Sequence, residues 1–329
     1  MSLILAADLH MTALARDVDR WRLFPWLREQ AERLNVKGVG LLGDLTDQKD
    51  RHSETLVNKL VQHIAELAEQ TDVYILRGNH DFVDEQHPYF RFLSNLERVY
   101  FVNEACLIKG IGAFIPCTRD ETKFAEMIAP YKSEQLILTH QTYDGCVSEN
   151  GTKLTGIKPS VFKDFKAKIW SGDVHVPQKV GKNIEYVGAP YRIKFGDKFE
   201  PRCVHVISSD KSTDLHFPGV RRELVEIRVL DDLPKLPVGT QVKIRVRLKR
   251  SEYPDWKNMR ENIKRIAEKR KWDVHAIELE AVQERSVAAE TAEMAGQSAE
   301  DVVRDYGARK KLSNDLIKTG LSLLKEASK

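Results

Sequence analysis

Five times within residues 1–175, a short apolar run of strand length ends on side chains that bind hard cations. Leu3 to Ala7 leads into Asp8 and His10, Val39 to Leu42 into Asp44, and Val73 to Leu76 into Asn79 and His80. Gln135 to Leu138 leads into His140, and Ala167 to Trp170 into Asp173 and His175. A layered α/β fold exposes residues at the carboxyl ends of its strands along one rim, where ligands collect. A single cluster such as Asp8-Leu9-His10 would be ordinary surface polarity. Five in the same relation to their strands require a fold that brings them together. Between the first three runs lie stretches of helical period, such as Val57, Leu60, Val61, Ile64 and Leu67, as layered α/β architecture demands.

Carboxylate, imidazole and amide oxygen in one place suit two hard divalent ions, with one carboxylate, here Asp44, as the candidate bridge. Such a pair clamps a phosphate and acidifies a bound water, which is the chemistry of phosphoester hydrolysis. No phosphate-binding glycine loop, nucleophile elbow or paired-cysteine zinc spacing competes with it.

After Trp170 the pattern shifts to short strands, Ile184 to Val187, Cys203 to Ile207 and Leu224 to Val229, with turns at Gly188 to Pro190 and Ser208 to Ser212. This predicts a mixed sheet or sandwich. Asp231 to Gly239, with Pro234 and Pro237, reads as a linker. Beyond it, Gln241 to Leu248 alternates like a strand, Trp256 to Arg270 is helical with Met259, Ile263 and Ile266 on one face, and Val274 to Leu279 is another strand. That is a small βαβ-type module. Glu280 to Gln297 is polar and rich in Ala and Glu. Ser298 with Asp301 then caps a helix over Val302 to Arg309, and Asn314 to Ala327 forms a last helix bearing Leu316, Ile317, Leu321 and Leu324. At 329 residues, the expected parts are a main domain over 1–230, a capping domain over 231–280, and a linker with C-terminal helices over 281–329.

Net charge is 52 minus 49, or +3, which alone says little. Residues 243–271, however, hold twelve Lys and Arg against four acids, or +8, leaving 40 minus 45, or −5, for the rest. Such segregation fits a polyanion-binding cap, with Lys243, Arg245, Arg247, Lys257, Arg260, Lys264 and Arg265 as candidate phosphate contacts. Trp256 and Trp272 bracket the basic helix and are expected to pack it onto its sheet more than to stack on bases. Cys106, Cys117, Cys146 and Cys203 have no CxxC spacing and read as free thiols of a reducing cytoplasm. The run Ser2 to Ala7 lacks the length and basic flank of a signal peptide, and no membrane span follows. A cytoplasmic protein, of a bacterial cell or phage-encoded, is expected. His52 can reach the mouth of the site; His63 and His205 read as structural, and His87, His216 and His275 as surface residues.

Asp8-Leu9-His10, Gly43-Asp44, Gly78-Asn79-His80-Asp81, Thr139-His140 and Gly172-Asp173-Val174-His175 together resemble the signature of the calcineurin-like metallophosphoesterases. The layout of core, basic cap and terminal helices, and the segment Tyr186 to Asp197, resemble the SbcD-like nuclease branch. The resemblance implies a layered β-sandwich flanked by helices, and hydrolysis of DNA phosphodiesters with Mn²⁺, or alternatively Mg²⁺. It implies exonuclease action on duplex ends and endonuclease action on single strands, within a complex for recombination and repair. It also implies a homodimer, with an SbcC-like coiled-coil ATPase docked on the C-terminal helices. Carried over by position, Asp8, His10, Asp44 and His175 hold one metal, and Asp44, Asn79, His140 and Asp173 the other. His80 is the implied general acid, a role worth ~10²- to 10⁴-fold in rate.

Two departures leave alternatives open. Asp173 stands where the family usually has a ligating histidine; it either binds, favouring Mn²⁺ or Mg²⁺ over Zn²⁺, or leaves one site weak. Asp47 stands where relatives often place a histidine that assists the catalytic one; it either orients His80 or impairs it. Beside the nuclease remain a phosphomonoesterase or cyclic-nucleotide phosphodiesterase, which needs neither basic cap nor tail, and a non-catalytic DNA-end-binding scaffold.

Overall fold

The computed structural model describes residues 2–197, 202–208, 211–282, 298–310 and 312–327. In chain order these form β1 (Ser2–Ala6), α1 (Leu23–Leu34), β2 (Gly38–Leu41), α2 (Glu54–Gln70), β3 (Asp72–Leu76), β4 (Val99–Val102), β5 (Cys106–Ile108), β6 (Gly112–Ile115), α3 (Glu121–Ile128), β7 (Leu136–His140), β8 (Lys168–Gly172), β9 (Gln178–Val180), β10 (Ile184–Tyr186), β11 (Val204–Ser208), β12 (Ser212–Leu215), β13 (Arg222–Ile227), β14 (Gln241–Leu248), α4 (Trp256–Lys269), β15 (Asp273–Ala281), α5 (Ala299–Arg309) and α6 (Asn314–Ala327).

The continuous apolar runs are strands buried on both faces, which is why they do not alternate. β1 to β4 run parallel, and β11 and β12 return antiparallel beside β1, giving a sheet ordered β12-β11-β1-β2-β3-β4. The second sheet is ordered β5-β6-β7-β8-β10-β9, with antiparallel edges around a parallel centre. Leu3, Leu5, Leu42, Tyr74, Phe114, Leu138 and Trp170 fill the space between the sheets. Outside the first sheet, Leu27 of α1 and Leu60, Ile64 and Leu67 of α2 cover Ile4, Val39 and Val73. Phe124, Tyr143 and Phe162 cover the outer face of the second. The result is the expected helix-flanked sandwich, and it brings the carboxyl ends of β1, β2, β3, β7 and β8 to one rim.

The cap is a parallel sheet, β13-β14-β15, with α4 packed on one face. Val242, Ile244, Val246 and Leu248 of β14 meet Ile263, Ile266 and Ala267 of α4, and both Trp256 and Trp272 join this core, as packing residues should. β13 was expected to end the main domain, but it pairs with β14 from Arg222↔Gln241 to Ile227↔Val246. The proline-bearing segment 231–239 is therefore a crossover inside the cap, and the division falls between β12 and β13. Apolar alternation reports that a strand is buried but not which strand it joins. Arg222 fastens the cap to the core: its Nη2 lies 2.6 Å from Asp17 and 3.4 Å from Asp19, and donates to the carbonyl of Arg16 at 2.9 Å.

The capping box predicted for Ser298 and Asp301 is present at the start of α5. Small residues let α5 and α6 approach: Gly307 faces Ile317, and Gly320 faces Val303. Tyr306, Leu316 and Leu323 stay exposed. Of the expected linker, residues 283–297 lie outside the described residues. No described helix is long and apolar enough to cross a membrane.

Candidate metal centre

After β1, β2 and β8 the side chains are delivered by a local break in the strand, whereas His140 is the last residue of β7 itself. Asp8, His10, Asp44 and Asp173 have φ of 55°, 42°, 55° and 83°, a left-handed conformation that non-glycine residues adopt only where the surrounding structure imposes it. Gly43 and Gly78 allow the two sheets to close on the site. A Cβ on Gly43 would strike the His140 ring, and one on Gly78 would strike the Asp44 carboxylate. The buried Asp81 carboxylate holds the rim together by accepting from the backbone amides of Gly78 (2.7 Å), Asp44 (3.0 Å) and Leu45 (3.1 Å).

The side chains converge as three overlapping groups, Asp8 with His10 and His175, Asp8 with Asp44 and His140, and His10 with Asp44 and His80. Within each, ligating atoms lie within 4.8 Å of one another, and Asp8, His10 and Asp44 each belong to two. Ring nitrogens and carboxylate oxygens crowd together here. The Nε2 atoms of His10 and His175 are 3.1 Å apart, Asn79 Oδ1 lies 3.0 Å from His140 Nε2, and the buried Asp8 Oδ2 has no hydrogen-bond partner. If the Asn79 amide turns, its nitrogen instead donates to the Asp44 oxygens at 3.1 and 3.0 Å. Buried acceptors without donors are costly, and divalent cations relieve them, so the donor set fits oxygen- and nitrogen-loving metals. His140 Nδ1 donates to the carbonyl of Leu42 at 2.6 Å, which leaves Nε2 free as a ligand.

Residues 1–177 match the family model for calcineurin-like phosphoesterase. The chain is a calcineurin-like phosphoesterase. Protein 244L of Invertebrate iridescent virus 6, which carries a phosphoesterase name, is 24% identical over 59% of this chain and 70% of its own length. Exonuclease subunit 1 of Enterobacteria phage T4 is 23% identical over 49% of this chain and 49% of its own length, so this match spans about half of that relative. Among solved structures, a dimetal phosphatase from Danio rerio aligns over 66% of this chain and 98% of that one, with 9% identity and a TM-score of 0.41. Pseudomonas putida nuclease MPE aligns over 65% and 87%, with 12% identity and a TM-score of 0.32.

The electrostatics of this phosphoesterase site follow from burial. Burial pushes the Asp8 carboxyl up to about 7 against the pull of His140 and His175, and the Asp81 carboxyl up to about 6 with the help of Asp44. Burial would depress His140, but Asp44, Asp8 and Asp173 overcome it and hold the imidazole at about 9. For Asp44, burial is likewise outweighed, by His140, His10 and His80, and its carboxyl falls below the usual range. Burial keeps His10 below its ordinary value.

Asp173 lies at the margin of the cluster. One of its oxygens accepts from the Thr142 hydroxyl, and Oδ1 is 3.8 Å from His140 Nε2. His80 meets Asp47 through its backbone and not its carboxylate: His80 Nδ1 donates to the Asp47 carbonyl at 2.8 Å, while the Asp47 carboxylate lies 3.4 Å from His10 Nδ1. The His80 amide donates to Asp44 Oδ1 at 2.8 Å. His52 sits beside the site, 2.8 Å from the Thr46 hydroxyl and packed on Tyr89. His63 stacks on Trp21 and Phe24, and His205 lies between Asp214 and Trp170, both structural as expected. His275, expected at the surface, stacks on Phe195 and meets Arg16 at 3.3 Å across the joint between cap and core.

The candidate phosphate contacts separate onto two faces. Lys243, Arg245 and Arg247 lie on the open face of the cap sheet, paired with Glu278 (2.8 Å), Glu226 (3.0 Å) and Glu280 (3.1 Å) of the flanking strands. Lys257, Arg260, Lys264 and Arg265 are exposed on α4, which covers the opposite face. A count along the chain includes neither the acids on β13 and β15 nor this split. A cleft of about 480 Å³ between cap and core is lined by Arg16, Glu149, Lys194, Phe195, Lys243 and His275, and a second hollow of about 430 Å³ by Asp47, Gln48, Arg51 and His52. Glu149, which lines the first, contacts His175 of the cluster, and Asp47, which lines the second, lies 3.4 Å from His10. Two site residues had no role in the sequence reading. Asp81 closes the Gly78-Asn79-His80-Asp81 motif, where its position was the signal. Glu149 follows no strand and gave no signal.

Proposed function

We propose that this phosphoesterase is a two-metal DNA nuclease. The convergence of five strand ends into one buried cluster of acceptors carries the reading. The T4 exonuclease subunit supports the choice of nucleic acid, and so do two hollows bordered by Glu149 and by Asp47, each in contact with a cluster histidine, which suit a polymer that continues past the scissile bond better than a small ester. Asp8, His10, Asp44 and His175 would hold one ion, and Asp44, Asn79, His140 and Asp173 the other. Mn²⁺ is the favoured ion, and Mg²⁺ the alternative. Bound there, the ions supply phosphate clamping and an acidified water. The protein's own contribution is positioning. The Asp47 carbonyl fixes the His80 tautomer, so its Nε2, when protonated, can donate to the scissile phosphate or the departing oxygen. Lys194 and Lys243 offer charge to phosphates that enter the cap cleft.

On this reading the enzyme degrades duplex ends and cuts single strands as part of an SbcCD-like recombination and repair complex. It works in the cytoplasm as a homodimer, with the exposed apolar residues of α5 and α6 docked on a coiled-coil ATPase. The deciding experiment supplies labelled linear duplex DNA, single-stranded DNA and a small chromogenic phosphate ester with Mn²⁺, Mg²⁺ or chelator. Metal-dependent loss of DNA is expected. Hydrolysis of the small ester alone would make the chain a phosphatase, and DNA binding without cleavage would make it a scaffold.

A further inference from the structure

The loop between β7 and β8 carries Glu149, whose carboxylate lies in ion-pair contact with His175 Nδ1. His175 is thereby set as His140 is. In each ring Nδ1 faces an oxygen, a carboxylate in close contact in one and the Leu42 carbonyl at 2.6 Å in the other, and Nε2 is left facing the cluster. For His175 that direction is defined by His10, whose Nε2 lies 3.1 Å from its own, and by Asp8, which shares a group with both. The loop holds Glu149 in place by its own bonds: Asp144 Oδ1 accepts from the Gly156 amide at 2.7 Å, and the Ser148 amide donates to the carbonyl of Thr152 at 2.9 Å. Glu149 is mostly covered, with 20% of its side chain exposed, and it borders the cleft between cap and core.

We propose that Glu149 is a positioning residue that fixes the tautomer and ring orientation of His175 and so completes the half of the metal centre formed by Asp8, His10 and His175. Carboxylates behind a ligating imidazole raise its basicity and hold its free nitrogen on the ion, and losing one typically costs ~10- to 100-fold in metal affinity. The proposal rests on the two-metal reading given above, and the test separates the two.

Mn²⁺ binding to the full chain is followed by titration calorimetry, and the imidazole tautomers of the metal-free protein by long-range ¹H–¹⁵N NMR. Wild type is expected to bind two ions, with His175 in the Nδ1–H form. Glu149→Ala should weaken one ion by about 10- to 100-fold, leave the other unchanged, and populate both tautomers of His175. Glu149→Gln keeps an oxygen that can accept from Nδ1, and should recover the tautomer and part of the affinity. Two ions bound to Glu149→Ala as tightly as to wild type overturn the proposal and leave the two-metal reading intact. So does a folded Glu149→Gln no better than Glu149→Ala. A wild-type chain that binds no Mn²⁺ overturns both.

Discussion

At the scale of single residues, the metal centre is built from conformations that most side chains avoid. Asp44 sits at φ 55°, and asparagine tolerates that region better than alanine. Asp44→Asn should therefore fold like wild type while cleavage falls to background, whereas Asp44→Ala should lose activity and about 1 kcal/mol of stability as well. Equal melting temperatures for the two variants would show that the left-handed backbone costs nothing here. His80→Ala should keep both ions and lose ~10²- to 10⁴-fold in rate; metal lost along with activity would make His80 a ligand. The centre also sets a pH dependence. His140 is held at about 9, above its ordinary 6.5, so its favourable contribution is complete below 6.5 and is lost as pH rises to 9. Asp8 is raised to about 7, so it too favours the folded state less as pH climbs from about 4 to 7. Chelator-treated protein should therefore melt at progressively lower temperature between pH 6.5 and 9. Mn²⁺ should oppose that decline, because ions replace protons on the same atoms. A metal-free melting temperature that is flat across this range would contradict the electrostatics.

At the scale of elements, the sequence revealed what lies next to a strand more readily than what lies across from it. Asp8, Asp44, His140 and their companions could be found because each follows an apolar run, and the α2 stripe from Leu60 to Leu67 because its period is local. β4, β5, β6, β9 and β12 were missed: each is only three or four residues long, and Val99–Val102 has an exposed centre. The pairing of β13 with the cap, the glutamates facing Lys243, Arg245 and Arg247, and the Glu149–His175 contact all join distant segments, which no period encodes. The two faces of the cap give the DNA reading a sharper test. Lys194→Glu, in the cleft beside the centre, should weaken DNA binding and lower the slope of log affinity against log salt by about one for each phosphate the protein no longer neutralises. Charge reversal of Lys264 and Arg265 on α4 should do less. If reversal on α4 has the larger effect, the polymer runs over the helix and not through the cleft.

At the scale of the whole molecule, α5 and α6 seat Ile317 on Gly307 and Val303 on Gly320 yet leave Tyr306, Leu316 and Leu323 exposed. Helices this short gain most of their stability from packing, which on the proposed reading a partner supplies. Truncation after Ala295 should leave a folded core that still binds Mn²⁺ but no longer captures a coiled-coil ATPase encoded in the same genome. An unfolded product, or normal capture, would return these helices to the core. The family match ends at residue 177, but the folding unit does not. β1 takes β2 on one side and β11 on the other, so Ser2 waits for Ser208 before its sheet is closed. On the ribosome, some two hundred residues must emerge before that edge is covered. Until then an apolar strand with unpaired amides is open to other chains, a kinetic hazard that slow elongation prolongs and a holding chaperone shortens.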